Sequence, residues 1–261
     1  MEHNVSRAVC RACGVPCIPM EQPAAPAPPR AKTFAQLIPG AFAFPFQGHE
    51  AMLLISGALF FTILYFVAQY ASIVGLLLVL GASGYIISYY QSILTTTATG
   101  EDRMPDWPDF TDTQSLMSPL WQFLVVFLMT IGPSILINMF VPDDAAWKSM
   151  AFGITRGIGL VLFPMAFMVV AMADTLTALN PLAVLSSIVK IAPDYILLLI
   201  VFGLTLGADW LGNTLLAGTG RVPIVPGLLS QSLAFYLAAV TLRCAGLLYR
   251  CRKDDLQWFS R

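Results

Sequence analysis

Long apolar runs separated by short polar breaks dominate this chain from Ala51 onward. A membrane-crossing helix needs about 20 mainly apolar residues, each adding ~1.5 Å toward the ~30 Å of hydrocarbon. Six stretches qualify: 51–68, 72–92, 120–141, 154–173, 195–217 and 224–242. Only Gln69, Tyr70 and Ala71 part the first two. Pro133 predicts a kink in the third, and Pro164 inside the fourth is tolerated because neighbouring helices satisfy the freed carbonyl. Between the fourth and fifth runs, Asn180-Pro181 opens a segment too short to cross. Leu182, Leu185, Val189 and Ala192 share one of its helical faces, which predicts a helix lying in the interface. Residues 33–50 carry Phe34, Phe42, Phe44 and Phe46, interrupted by Pro39, Gly40 and Pro45. Aromatic residues favour the membrane–water boundary, so this segment reads as interfacial. No fixed-period repeat is present.

The division that follows is a tail (1–32) ending in a Pro/Ala linker, the interfacial segment (33–50), a membrane domain (51–250) and a short C-terminal tail (251–261). Composition strengthens this reading. Of 261 residues, 57% are hydrophobic and 11% charged, with a mean hydropathy of +0.74; soluble domains carry about a quarter charged residues. The expected fold class is all-α, a polytopic helical membrane protein whose first partner is the lipid bilayer. A net charge of −1 leaves no basic footprint for nucleic acid. No apolar core stands where a cleaved signal peptide would have one, so the tail is expected to be retained.

Lys and Arg concentrate on the cytoplasmic side of spans. Arg7, Arg11, Arg30, Lys32, Arg103, Lys190, Arg243, Arg250, Arg252, Lys253 and Arg261 share one side of a six-span arrangement. Lys148, Arg156 and Arg221 hold the other. Both termini are therefore expected in the cytoplasm.

That orientation places "GEDRMPDWPDF", residues 100–110, on the cytoplasmic side. Pro105 and Pro108 hold Met104 and Trp107 toward extended geometry, so the loop is stiff. Three readings fit it. It is a rigid connector with Trp107 and Phe110 at the headgroups, or a docking loop with Trp107 as anchor and Glu101, Asp102, Asp106 and Asp109 around it. Or its carboxylates hold a hard cation, although the spacing matches no EF-hand. A loop of the form Gly-acid-x-x-x-Pro-x-Trp-x-Asp-Phe, here Gly100, Glu101, Pro105, Trp107, Asp109 and Phe110, resembles uncharacterised bacterial membrane proteins built around a domain of unknown function. "ALNPLAVLSSI", residues 178–188, is similar to that family's helix after a broken span. The resemblance covers roughly residues 34–250. It implies a polytopic helical fold in a bacterial cytoplasmic (inner) membrane and brings no known activity.

Two further features bear on chemistry. Cys10-x-x-Cys13-Gly14 has the spacing of one zinc-ribbon knuckle, with Cys17 and His3 as further ligands. A structural zinc site takes four ligands, usually from two such pairs, and no second pair follows. The tail thus reads as a zinc site completed by His3 or a second chain, as a half-ribbon relic, or as plain cysteines; no other cofactor is expected.

Within the fifth span, Asp209 lies ~12 Å from the outer edge by helical rise. A charge at such depth costs at least ~2.5 kcal/mol and marks function by default. Asn213 sits one turn above it. Gln231 lies at similar depth, ~10 Å, and Arg156 begins the fourth span near that same outer side and reaches inward, so the four form a candidate intramembrane polar cluster; the alternative is a helix–helix clamp, with Asp209 neutral or paired to Arg156. Gly153/Gly157 and Gly203/Gly207 have the small-x-x-x-small spacing of close helix packing. Catalytic constellations are missing: the histidines are His3 and His49, and no Walker loop, Rossmann fingerprint or zincin pair occurs. The expected function is non-catalytic, a scaffold or accessory protein docking a membrane or cytoplasmic protein through the acidic Trp loop. The alternative is a small transporter or channel using the cluster around Asp209. Homo-oligomerisation stays open.

Overall fold

A computed structural model of the protein describes residues 33–46, 50–68, 72–109, 113–217 and 224–258. Among the described residues there is no strand. The helices are α1 (Phe34–Ala43), α2 (Glu50–Ala68), α3 (Ser72–Thr99), α4 (Thr113–Thr130), α5 (Gly132–Phe140), α6 (Lys148–Ala173), α7 (Pro181–Lys190), α8 (Ala192–Ala217) and α9 (Ile224–Leu256). Single 3₁₀ turns follow α1 and precede α7.

Among the described residues, four helical stretches are long and apolar enough to cross a membrane: Ile73–Thr99, Lys148–Ala173, Ala192–Leu216 and Val225–Leu256. Two bent pairs raise the number to six if each is one span. Phe34–Phe46 meets Ala51–Leu64 at 65°, and Leu116–Thr130 meets Gly132–Phe140 at 58°. The chain is thus an all-α polytopic helical protein with four to six candidate spans. Large apolar side chains such as Ile73, Leu77, Leu204 and Leu215 remain exposed on the bundle, as expected for helices whose outer faces meet lipid.

The kink expected at Pro133 is a full break. Pro133 has no N–H to give, and Ser134 donates both its N–H (3.0 Å) and its Oγ–H (2.7 Å) to the Ile131 carbonyl. By contrast α6 runs through Pro164 unbroken, and Tyr195 Oη of α8 donates to the Val161 carbonyl of α6 at 2.6 Å. The last helix is longer than the apolar run implied. α9 continues to Leu256, and its 33 residues rise ~50 Å, past the ~30 Å of hydrocarbon. Between α5 and α6, Lys148 Nζ stands 2.6 Å from an Asp143 oxygen and holds that carboxyl below the usual range.

The α9 helix is the centre of the bundle, flanked by α3, α8 and α2, while α4 joins α3 to α6 and α5 lies along α6. Ile93, Leu94, Val126, Met165, Met168, Val170, Leu198, Val240 and Leu248 form the fully buried interior. In lipid, apolar burial hardly drives helices together, so close fit carries the association. Gly159 of α6 shows this: a Cβ there would stand 2.2 Å from the Thr130 carbonyl oxygen. Gly159→Leu is expected to destabilise the bundle by at least ~1–3 kcal/mol through overpacking, read as a lower unfolding midpoint in detergent. The small-residue pairs singled out from spacing are elsewhere. Around Gly153, Gly157, Gly203 and Gly207 nothing lies within 4 Å of an added Cβ. Spacing shows that two residues share a face; it does not show that the face meets a neighbour.

The segment expected to be interfacial is partly drawn into the protein. Phe34 and Phe44 are buried while Phe42 and Phe46 are exposed. Tyr236 Oη of α9 donates to the Phe42 carbonyl at 3.2 Å, and the Phe46 and Tyr236 rings lie 5.2 Å apart. α7 forms as its sequence implies. The Asn180 side chain accepts from Leu182 N at 3.0 Å, and Pro181 occupies the first turn. Leu182, Leu185 and Val189 are exposed on one side, whereas Ala192 begins α8. On the other side, Ser187 is buried and its Oγ accepts from Trp258 Nε1 at 3.0 Å.

Candidate functional site

The 100–109 loop is built from the end of α3. Gly100 has φ of +106°, a conformation costly for a residue with a Cβ. With it, Gly100 N and Glu101 N both reach back to the Thr96 carbonyl, at 3.2 and 3.0 Å. The reversed chain then meets Arg243 of α9. Nη1 of Arg243 donates to the Glu101 carbonyl (2.7 Å) and to Thr97 Oγ1 (3.1 Å), and Nη2 to Asp102 Oδ1 (2.5 Å). Its guanidinium carbon also lies 4.3 Å above the Phe44 ring, a cation–π contact. The Arg243 side chain is 8% exposed and that of Asp102 72%, so a buried cation is neutralised from the surface. Arg250 adds a longer contact to Asp102 at 3.5 Å.

Beyond this tie the loop turns Trp107 into the bundle. Its ring centroid is 4.2 Å from Tyr89 and 5.5 Å from Tyr85, both near-parallel, and 6.3 Å from Phe61 and from Phe235. Gly57 of α2 leaves the space: a Cβ there would come within 2.5 Å of Trp107 Cζ2. The half-buried indole is therefore held by the chain's own aromatic residues, while Glu101, Asp102, Asp106 and Asp109 remain exposed. Phe110, like the whole tail set His3, Cys10, Cys13 and Cys17, lies outside the described residues. Among the described residues, no three His, Cys, Asp or Glu side chains are grouped to hold a metal ion.

The second candidate region is a cavity of about 470 Å³ bounded by α3, α4, α6, α8 and α9. α8 packs along α9 and α6 along α4 and α5, and the space lies where α6 and α8 part. Its wall is mostly apolar, with Phe123 and Phe127 from α4, Phe163 and Phe167 from α6, and Phe202 from α8. The polar members are Tyr90, Arg156, Thr205, Asp209 and Thr241. Thr205 and Thr241 hydrogen-bond to each other at 3.0 Å. Arg156 and Leu206 are exposed and mark the open side. Asp209 and Arg156 thus line one cavity, yet no ion pair within 4.0 Å joins them. Instead Asp209 Oδ2 accepts from Asn213 Nδ2 at 3.1 Å, and Asn213 Oδ1 accepts from Ser230 Oγ. Asp209 Oδ1 is buried and has no hydrogen-bond partner among the described residues.

Of the four residues expected to cluster, the structure joins Asp209 to Asn213 and sets Arg156 on the same cavity. Gln231 is not part of the cavity wall or of the hydrogen-bonded chain; its neighbour Ser230 occupies that place, because one step along a helix turns the side chain by ~100°. Sequence reasoning missed Tyr90, Thr205 and Thr241, and it missed the phenylalanine wall. A signal for the wall existed in Phe123-x-x-x-Phe127 and Phe163-x-x-x-Phe167, two same-face pairs on neighbouring helices. It also missed a polar relay from α3 through α4 to the C-cap of α6, buried at Gln91 and Gln122 and ending at the exposed Asp174. There Gln91 Nε2 donates to Gln122 Oε1 (3.0 Å), and Gln122 Nε2 donates to Asp174 Oδ1 (3.0 Å).

No known protein family model, characterised protein or solved structure matches this chain.

Proposed function

We propose that this chain is a small carrier of the cytoplasmic membrane that binds its solute in the cavity between α6 and α8. One observation supports this above the others: a buried carboxylate oxygen of Asp209, unpartnered, in the wall of an apolar cavity open on one side. A carboxylate so placed costs free energy that a purely structural clamp would avoid by pairing it. The volume falls in the range of small-molecule sites, ~300–1,000 Å³. In this reading both termini face the cytoplasm, on the grounds of the Lys and Arg distribution. Docking through the acidic loop has less support, since the covered indole leaves a partner only a carboxylate rim.

The test begins with what the protein retains. Full-length protein purified in mild detergent is expected to carry a small molecule detectable by native mass spectrometry. Leu206→Trp, which fills the open side, should lose it. The extracted compound, loaded into liposomes containing the protein, should leave faster than from liposomes containing the variant. Equal retention by both proteins, or no difference in exit, would defeat the carrier reading.

A further inference from the structure

Resting on the cavity reading above, we infer that the ligand is an apolar monocation, a protonated amine or an onium group carried on a hydrophobic or aromatic body. Among the described polar groups of the wall, the hydroxyls of Thr205 and Thr241 hydrogen-bond to each other, Asp209 Oδ2 is taken by Asn213, and neither Tyr90 nor Arg156 hydrogen-bonds to Asp209 Oδ1. Asp209 Oδ1 is left, an acceptor with no donor. A ligand completing the site must bring a donor or a positive charge to that oxygen; an anion or a second acceptor would worsen it.

The remaining wall agrees with a cation. Five phenylalanine rings line the space, and the negative faces of aromatic rings attract cations while their bodies accept apolar groups. Apart from Arg156, such a wall offers an anion no positive charge. Arg156 is the opposing charge in the wall, but it is exposed, and its three-carbon stem lets the guanidinium reach toward the headgroup zone. Asp209 is the half-buried charge facing the interior of the same cavity.

Tetraphenylphosphonium and tetraphenylborate share shape and differ in the sign of their charge, so they isolate this inference from the cavity reading. Their binding to full-length protein in detergent would be measured by equilibrium dialysis. Leu206→Trp, or Ala238→Phe if that variant is not monodisperse, serves as the blank for partition into micelles. The phosphonium is expected to bind at least about tenfold more tightly than the borate. Asp209→Asn, which keeps the side-chain shape, should weaken the phosphonium by about tenfold, the scale of one lost charge-assisted contact, and leave the borate unchanged. Asp209→Glu should retain most of the preference. Equal binding of both ions, each lost in the filled variants, would overturn the cation inference and leave the cavity standing. Tighter binding of the borate would overturn it in favour of Arg156. Binding of neither ion above the blank would overturn it as well, with the retained-ligand experiment still deciding the carrier reading.

Discussion

Asp102→Ala is expected to lower the stability of the detergent-solubilised protein by about 3 kcal/mol, more than its exposed position suggests. Removing one partner of a buried ion pair typically costs about 3–5 kcal/mol because the other charge is left uncompensated. Here the stranded charge is Arg243, with a side chain 8% exposed. The low end of that range applies because Asp102 itself is open to water and Arg243 keeps the Glu101 carbonyl, Thr97 and the Phe44 ring. The asymmetry is the sharper test. In the double variant Asp102→Ala, Arg243→Met the buried charge is gone, so the unfolding midpoint should recover part of the loss. If the double variant is no more stable than Asp102→Ala alone, the stranded charge is not the cause. The tie would then act through loop geometry.

Trp107→Ala is expected to have the largest effect of any single substitution in the loop, about 3–5 kcal/mol, the scale for deleting a large aromatic from a packed site. The indole stands among Tyr85, Tyr89, Phe61 and Phe235, from α2, α3 and α9, so its loss opens a hole among three helices at once. Gly57→Leu should also destabilise, since its side chain would enter the space of the indole. Combined, the two changes should cost less than their sum, because the leucine then occupies the vacated volume; pairs in direct contact couple by about 0.5–3 kcal/mol. Thermal unfolding of the single and double variants decides this. Strict additivity, or a Trp107→Ala protein as stable as wild type, would mean the ring is not seated against Gly57.

These two predictions mark where sequence reading stopped. The pair of prolines around Trp107 and the acids beside it signalled a stiff polar loop. Nothing in their spacing could show that the indole turns inward, because the receiving residues come from α2, α3 and α9, up to 174 positions apart. Asp209 was legible for a simpler reason: one charged residue in an apolar run is conspicuous against its surroundings whatever the fold. Asn213, four residues on, followed from helical rise alone. Gln231 did not follow, since matching depth on two helices says nothing about their relative rotation, and Ser230 faces Asn213 instead.

The sequence by itself determined the class of the protein: apolar runs of about 20 residues can only be helices in a bilayer, where each backbone polar group must be satisfied within its own segment. It determined the turn at Asn180-Pro181 and the weak point at Pro133, since both depend on groups a few bonds apart. Only the tertiary structure decided which faces meet. It buried Arg243 against the loop, turned Trp107 inward, left the glycine pairs of α6 and α8 with open space where a Cβ would stand, and parted those two helices around a carboxylate with one unpartnered oxygen. The reason is physical. Local preference acts through covalent geometry and hydrogen bonds within a few residues, whereas facing depends on the fit of surfaces far apart in sequence, and in an apolar medium that fit is what draws one helix to another.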